Sequence, residues 1–220
     1  MARDHVRIGA FVAAALLGAT LLGALYQGLD ALHRLEVVEA ERDRWQNVAP
    51  ILQALDLEEG KVVVDLGCGV GYFALKLSPL VGRSGKVVAV DLRNDALRFL
   101  RLRAWVGGRR NIVTVVARAD DPRVDADTAD AVLMANTYHE LADPATILAH
   151  LCRALRRGGR LVIVDPGPGG AEAANAEHHE TLASAELQVR RAGFEVSSRQ
   201  GSFIEPGGAS AWWLIVARKR

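Results

Sequence analysis

At 220 residues, half of them hydrophobic, the chain holds enough apolar material for one domain of ordinary size plus an extension. A formal charge of +1 at pH 7 excludes the broad basic field that draws a protein onto nucleic acid regardless of sequence. Two cysteines, Cys68 and Cys152, supply neither a metal-ligand spacing nor a disulfide framework.

Behind Arg3-Asp4-His5-Val6-Arg7 comes an uncharged run from Ile8 to Leu29, 22 residues rich in Ala, Leu, Gly and Val. As a helix rising about 1.5 Å per residue it would be about 33 Å long, enough to cross a hydrocarbon core of about 30 Å. A membrane anchor and a cleaved signal are both open. The run outlasts the usual signal core of about 7–15 residues, and Tyr26-Gln27-Gly28-Leu29 offers no Ala-x-Ala-like end, which favours an uncleaved single-pass anchor. Arg3 and Arg7 lie on one side and Arg34, Arg42 and Arg44 on the other, so the side on which the following domain sits stays open. From Asp30 to Leu55, apolar residues including Leu32, Leu35, Val38, Trp45, Val48 and Ile51 recur near helical spacing, as in a linker helix running into a lid. The chain thus divides into an anchor or signal segment at 1–30, linker and lid helices at 31–56, and a main domain at 57–220.

The main domain is organised around Val62-Val63-Val64-Asp65-Leu66-Gly67-Cys68-Gly69-Val70-Gly71. Three β-branched residues, an acid and alternating glycines, followed by helix-prone Tyr72 to Leu77, predict a buried strand turning sharply into a helix. Glycines permit positive φ and close backbone approach, and the helix amides behind them point at whatever lies over the turn. A dinucleotide site needs Gly-x-Gly-x-x-Gly, whereas here the third glycine comes one residue early and Tyr72 takes its place. A carboxylate at the strand tip also disfavours a pyrophosphate and suits a cationic ligand. Lys86 to Asp91 predicts a second strand ending in a second acid, placed for ribose hydroxyls.

At these residues the chain resembles class I S-adenosylmethionine-dependent methyltransferases, which share Asp/Glu-x-Gly-x-Gly-x-Gly followed by a ribose-binding acid. The resemblance implies a Rossmann-like α/β fold with a seven-stranded, mostly parallel sheet and an antiparallel last strand, here behind an N-terminal hydrophobic helix. It implies S-adenosylmethionine as cofactor, held by Asp65, Gly67, Gly69, Gly71, Tyr72, Asp91 and Leu92. Glu41-Arg42-Asp43-Arg44-Trp45-Gln46, taken with the Tyr138-His139 segment, resembles the small-molecule, type 11/25-like subgroup with an N-terminal signal or anchor. Two readings of Trp45 and Gln46 stand side by side: closure over the site, or a docked helix with a buried tryptophan.

Further along, Asn94-Asp95-Ala96 is expected to cap a helix running to Val106, and Ile112–Ala117 predicts a third strand. In the resembled fold the loop after it borders the adenine, which nominates Asp120. Asp130–Ala135 predicts a fourth strand ending at Asn136-Thr137-Tyr138-His139-Glu140. Ligands in open α/β sheets lie beyond such strand ends, so Asn136 joins the cofactor set. Asp143-Pro144 opens a helix to Arg156, Arg157–Arg160 a turn, and Leu161–Asp165 a fifth strand. Pro166–Ala176 is expected to form a loop-rich lid. Glu177-His178-His179-Glu180 opens the next helix, and Phe194–Gln200 and Ala211–Ala217 close the sheet.

Methyl transfer from a sulfonium needs mainly positioning and a dry pocket, with a base only where the acceptor arrives protonated. His139 is the candidate base, with Tyr138 shaping the pocket and Glu140 orienting the ring. His178 or His179 is a second possibility. No metal is assigned. Asn136-Thr137-Tyr138-His139 lacks the prolines of amino-methylating enzymes, so a small-molecule acceptor is expected, a hydrophobic one such as a quinone or lipid where the anchor holds the domain at a bilayer; nucleic acid is not. Arg98, Arg101, Arg103, Arg109 and Arg110 form a basic cluster that could touch lipid headgroups or RNA, although a solvated helix face is the plainer reading. The rival readings are a catalytically silent, membrane-anchored binding protein on the same fold and a nicotinamide oxidoreductase.

Overall fold

The computed structural model describes residues 2–167, 181–204 and 211–220. They form two compact units, residues 1–44 and 45–220. The first is most of helix α1 (Ala2–Trp45). Among the described residues no helix is long and apolar enough to cross a membrane, so the anchor expected at 8–29 gains no support, although this run is helical. The helix expected from Asp30 to Leu55 is instead broken at Gln46-Asn47, where Asn47 takes a left-handed φ of 53°, and α2 (Val48–Ala54) follows.

The second unit is a seven-stranded sheet of order β3-β2-β1-β4-β5-β7-β6. Its strands are β1 (Val62–Leu66), β2 (Lys86–Asp91), β3 (Ile112–Val116), β4 (Ala129–Ala135), β5 (Leu155–Pro166), β6 (Phe194–Ile204) and β7 (Trp212–Lys219). The pairs β2–β3, β1–β2, β1–β4 and β4–β5 are parallel, and β7 runs antiparallel between β5 and β6. The strand order therefore reverses between β1 and β4, and the crevice beyond their C-terminal ends is where an open α/β sheet takes its ligand.

Alternation along β1 divides the core. Val63 faces the cluster under α2, α3 (Tyr72–Val81) and α4 (Asn94–Val106). Val64 and Leu66 face the cluster under α5 (Pro144–Ala154) and α6 (Leu182–Arg191). Buried on both faces, β1 is apolar but for Asp65 near its tip, as central parallel strands are.

Several expected boundaries move. The N-cap position of α4 falls on Arg93 with no side-chain cap, so Asn94 is the first helical residue and does not cap. α5 is capped by Asp143, which accepts the Thr146 amide, and stops at Ala154 rather than Arg156. Leu155 already pairs with Ala129 of β4, and the expected turn at 157–160 lies inside β5, with Gly158 at φ 76° and a register shift opposite. The expected lid from Pro166 to Ala176 and the helix start at Glu177, with His178 and His179, fall almost wholly on residues outside the described ones.

Candidate functional site

The β1 tip closes into the glycine loop through backbone bonds. The amides of Gly67 and Cys68 both donate to the Val90 carbonyl at 2.8 and 3.0 Å, and the Gly71 amide donates to Cys68 at 2.9 Å. All three loop glycines have positive φ: 73° at Gly67, 53° at Gly69 and 97° at Gly71. Two of them are also demanded by packing. A Cβ at Gly67 would overlap the Thr137 hydroxyl, and one at Gly71 would overlap Leu100 of α4. At Gly69 the space is open apart from the Arg93 guanidinium, so this glycine leaves the backbone bare towards the crevice.

Asp65, 2% exposed, is buried at the β1 tip, and Asp91, 7% exposed, ends β2 beside it. Asp91 accepts the Gly69 amide on Oδ2 at 2.7 Å and the Arg93 amide on Oδ1 at 2.8 Å. It therefore shapes the loop itself. Arg103 of α4 donates to the Val70 carbonyl at 2.8 Å, a second tie on the loop, contributed by a residue that in sequence is one of a run of arginines. Between the two acids sits Cys68, whose thiol is pushed far up, first by burial and then by the charges of Asp65 and Asp91. The two buried carboxylates thus lie close to the glycine loop, where water does little to screen their charge. Such a place suits a ligand with an ammonium and a sulfonium and opposes a pyrophosphate, so these residues fit S-adenosylmethionine and disfavour the nicotinamide dinucleotide alternative.

The other cofactor candidates are placed unevenly. Leu92, 59% exposed, follows Asp91 at the mouth of the crevice. Tyr72 is buried, its ring edge-on to Phe73 at 4.9 Å with the Lys76 ammonium over it at 4.6 Å. Asp120 lies on an exposed turn after β3. Asn136 is exposed at φ 59° and gives its amide to Val164 at 2.8 Å, which turns the chain out of β4.

Beyond Asn136 a 3-10 turn (Tyr138–Glu140) crosses the end of β5, where the fully buried Asp165 receives it. Oδ1 accepts the amides of Thr137 at 2.9 Å and Tyr138 at 3.1 Å. Oδ2 accepts the His139 amide at 2.9 Å and faces His139 Nδ1 at 3.0 Å. A ring proton on Nδ1 satisfies that contact and leaves the lone pair on Nε2. The orienting carboxylate is thus Asp165, not the expected Glu140, which is largely exposed and lies 3.9 Å from Nε2. In the sequence Asp165 is only the last residue of a predicted strand; the signal that points to it is an acid ending the strand next to the one that delivers the histidine.

Tyr138 does not shape a pocket wall. Its side chain is fully buried under the sheet, edge-on to Trp213 at 5.8 Å, and its hydroxyl donates to Gln188 of α6 at 2.8 Å. Trp45 packs edge-on against Trp212 at 5.5 Å, while Gln46 is fully buried and Asn47 donates to the Phe203 carbonyl at 3.0 Å. Trp212 stands opposite Pro166 in the register, at the same end of the sheet as the glycine loop. The apolar cluster that takes in Cys68 also takes in Phe203, Ile204 and Trp212, with Trp45 packed against it. Of the two readings of this segment, docking is what the contacts describe. Among the described residues no group of acids, histidines and cysteines is arranged to hold a metal.

A family model described as a methyltransferase domain matches residues 57–200. A demethylmenaquinone methyltransferase of Shouchella clausii is 25% identical over 142 residues, covering 64% of this chain and 59% of that protein. The ubiquinone/menaquinone biosynthesis C-methyltransferase UbiE of a Marinomonas species is 32% identical over 107 residues, covering 48% of this chain and 43% of that one. The chain spans about half the length of the curated relatives it matches. Among solved structures, a SAM-dependent methyltransferase from Aquifex aeolicus superposes with a TM-score of 0.70 at 24% identity, covering 79% of this chain and 90% of that one.

Proposed function

Since this chain belongs to the methyltransferase-domain family, of the class I S-adenosylmethionine-dependent type, we propose that it transfers a methyl group from S-adenosylmethionine to a small apolar ring acceptor of the quinone class. The observation that carries the reading is the pair of buried acids, Asp65 and Asp91, around a glycine loop whose backbone is bare at Gly69. The ring acceptor is suggested by the quinone named in two relatives and by the aromatic and aliphatic surroundings of Trp212 at the site end of the sheet.

When bound, S-adenosylmethionine supplies an electrophilic methyl on a sulfonium. Asp65 and the loop amides would hold its charged end, and Asp91 would accept from the ribose hydroxyls. A reduced quinone carries phenolic hydroxyls, so its ring carbon becomes a strong nucleophile on losing a proton. His139, with Nδ1 given to Asp165, offers Nε2 for that proton. In the net exchange a ring C–H would give way to C–CH3, the electron pair of the S–CH3 bond would stay on sulfur, and the one proton released would leave through His139, the phenolic oxygen recovering its hydrogen as the ring is restored.

The test is incubation of the full-length protein with methyl-labelled S-adenosylmethionine and a panel of quinols, followed by extraction and mass analysis. Label in a quinol is expected, with Asp65→Ala losing cofactor affinity and His139→Gln losing turnover while still binding cofactor. Cofactor binding without label in any quinol would sink the acceptor, and unchanged affinity in Asp65→Ala would sink the role of the acid. The reading extends to a membrane location through the uncharged run at 8–29, since quinones dissolve in bilayers. Recovery of the full-length protein in the soluble fraction after an alkaline wash would remove that extension.

A further inference from the structure

We infer that the outer face of α4 is a docking surface for an anionic bilayer. This face is separate from the site, and the inference does not depend on which acceptor is methylated. α4 buries Ala96, Leu97, Leu100 and Ala104, so its opposite side presents Arg98, Arg101, Leu102 and Trp105 at helical spacing. A solvated helix face would be polar there. Instead Trp105 is 80% exposed, with Leu102 at 49% and Val106 at 66%. The neighbouring edge strand β3 adds Val116, exposed and on the same face as Thr114, which Arg101 of α4 reaches. A large indole left in water beside aliphatic side chains marks a surface that meets something apolar.

The charge around this centre has one sign. From Ala96 to Ala119 the chain carries six arginines and neither Asp nor Glu. Arg103 is turned inward onto Val70, and Arg101 donates to the neutral hydroxyl of Thr114 at 3.0 Å. Arg98, Arg109 and Arg110 are exposed. The acid on the helix is Asp95, confined to the first turn, where the helix dipole favours it. An apolar centre ringed by guanidinium groups matches the interface of an anionic membrane. The indole settles at headgroup depth, and the arginine stems lie along it with their heads at the phosphates. Single-stranded RNA could use the arginines and stack on the indole, but the aliphatic residues beside it offer bases no platform.

The experiment uses the full-length protein with vesicles of phosphatidylcholine alone or mixed equally with phosphatidylglycerol, the acyl chains brominated to quench tryptophan. Quenching and a blue shift are expected in the anionic vesicles, absent in the neutral ones and absent in Trp105→Phe. Arg98→Gln combined with Arg109→Gln is expected to weaken partitioning at least about tenfold, because each basic charge near an anionic surface is worth roughly a fivefold change. The difference between wild type and Trp105→Phe isolates Trp105 from Trp45, Trp212 and Trp213, so that insertion of residues 8–29 does not mimic the result. Equal quenching by neutral vesicles, a signal that persists in Trp105→Phe, or no such quenching, with or without retention on RNA, would overturn the inference.

Discussion

Replacing Asp165 by asparagine keeps the size of the side chain and turns one of its two oxygens into a donor. In the native turn Oδ1 takes the amides of Thr137 and Tyr138, and Oδ2 takes the amide and Nδ1 of His139. With the new NH2 at the Oδ1 position, both of the first two bonds are lost; at roughly 1.5–3 kcal/mol for a hydrogen bond to a charged group, this costs about 3–6 kcal/mol. With the NH2 at the Oδ2 position, the imidazole can move its proton to Nε2 and let Nδ1 accept. Only the His139 amide then loses its partner, at about 1.5–3 kcal/mol. The second route is cheaper and is the one expected. At about 2–4 °C per kcal/mol for a chain of this size, Tm falls by roughly 3–12 °C in a thermal melt followed by near-ultraviolet circular dichroism. Turnover falls further than stability, because Nε2 now carries a proton and has no lone pair for the acceptor. An unchanged Tm, or a lowered Tm with undiminished kcat at saturating substrates, would refute the clamp and the tautomer argument respectively.

Gly71→Ala forces a side chain into a φ of 97° and onto Leu100; a penalty of about 2–5 kcal/mol from left-handed strain and overpacking is expected, with weakened cofactor binding by calorimetric titration. Tyr138→Phe removes the hydroxyl that donates to Gln188, and should cost about 1 kcal/mol in denaturant unfolding while leaving kcat near wild type, since the ring lies in the core. Burial alone would raise the Asp130 carboxyl, but the Val62 amide, Arg156 and Lys61 outweigh it and hold it below the usual range. Its contribution is therefore present above about pH 3.9, the unfolded value, and lost as pH falls through the lowered one. Asp130→Asn should accordingly lower Tm at pH 7, and its deficit should shrink in melts taken below about pH 4; a constant deficit would contradict this.

Much of this was written in local pattern. Val62–Val64 is an unbroken apolar run because the strand is buried on both faces, and Gly67, Gly69 and Gly71 stand where φ is positive. The acids at strand tips were legible for the same reason, since burying a carboxylate there has no purpose in packing alone. What escaped was what depends on neighbours far away in sequence. Asp165 acquires its role from residues 137–139, and Arg103 from Val70, through contacts that no spacing rule announces. Tyr138 looked like a site residue because it sits beside His139. On a turn adjacent side chains diverge, and here one enters the core while the other faces the carboxylate. The end of α5 shifted because pairing with β4 took Leu155 away from the helix.

Three consecutive amides converging on one carboxylate make the stretch from 137 to 139 behave less like a loop than like an extra rung of the sheet. Backbone hydrogens there should exchange with solvent about as slowly as those of β4, despite the lack of strand pairing. A segment so immobilised cannot reshape itself for different molecules. Diversification of what such a scaffold accepts would then have to come from residues grafted around this fixed point, with the histidine's bearing left untouched.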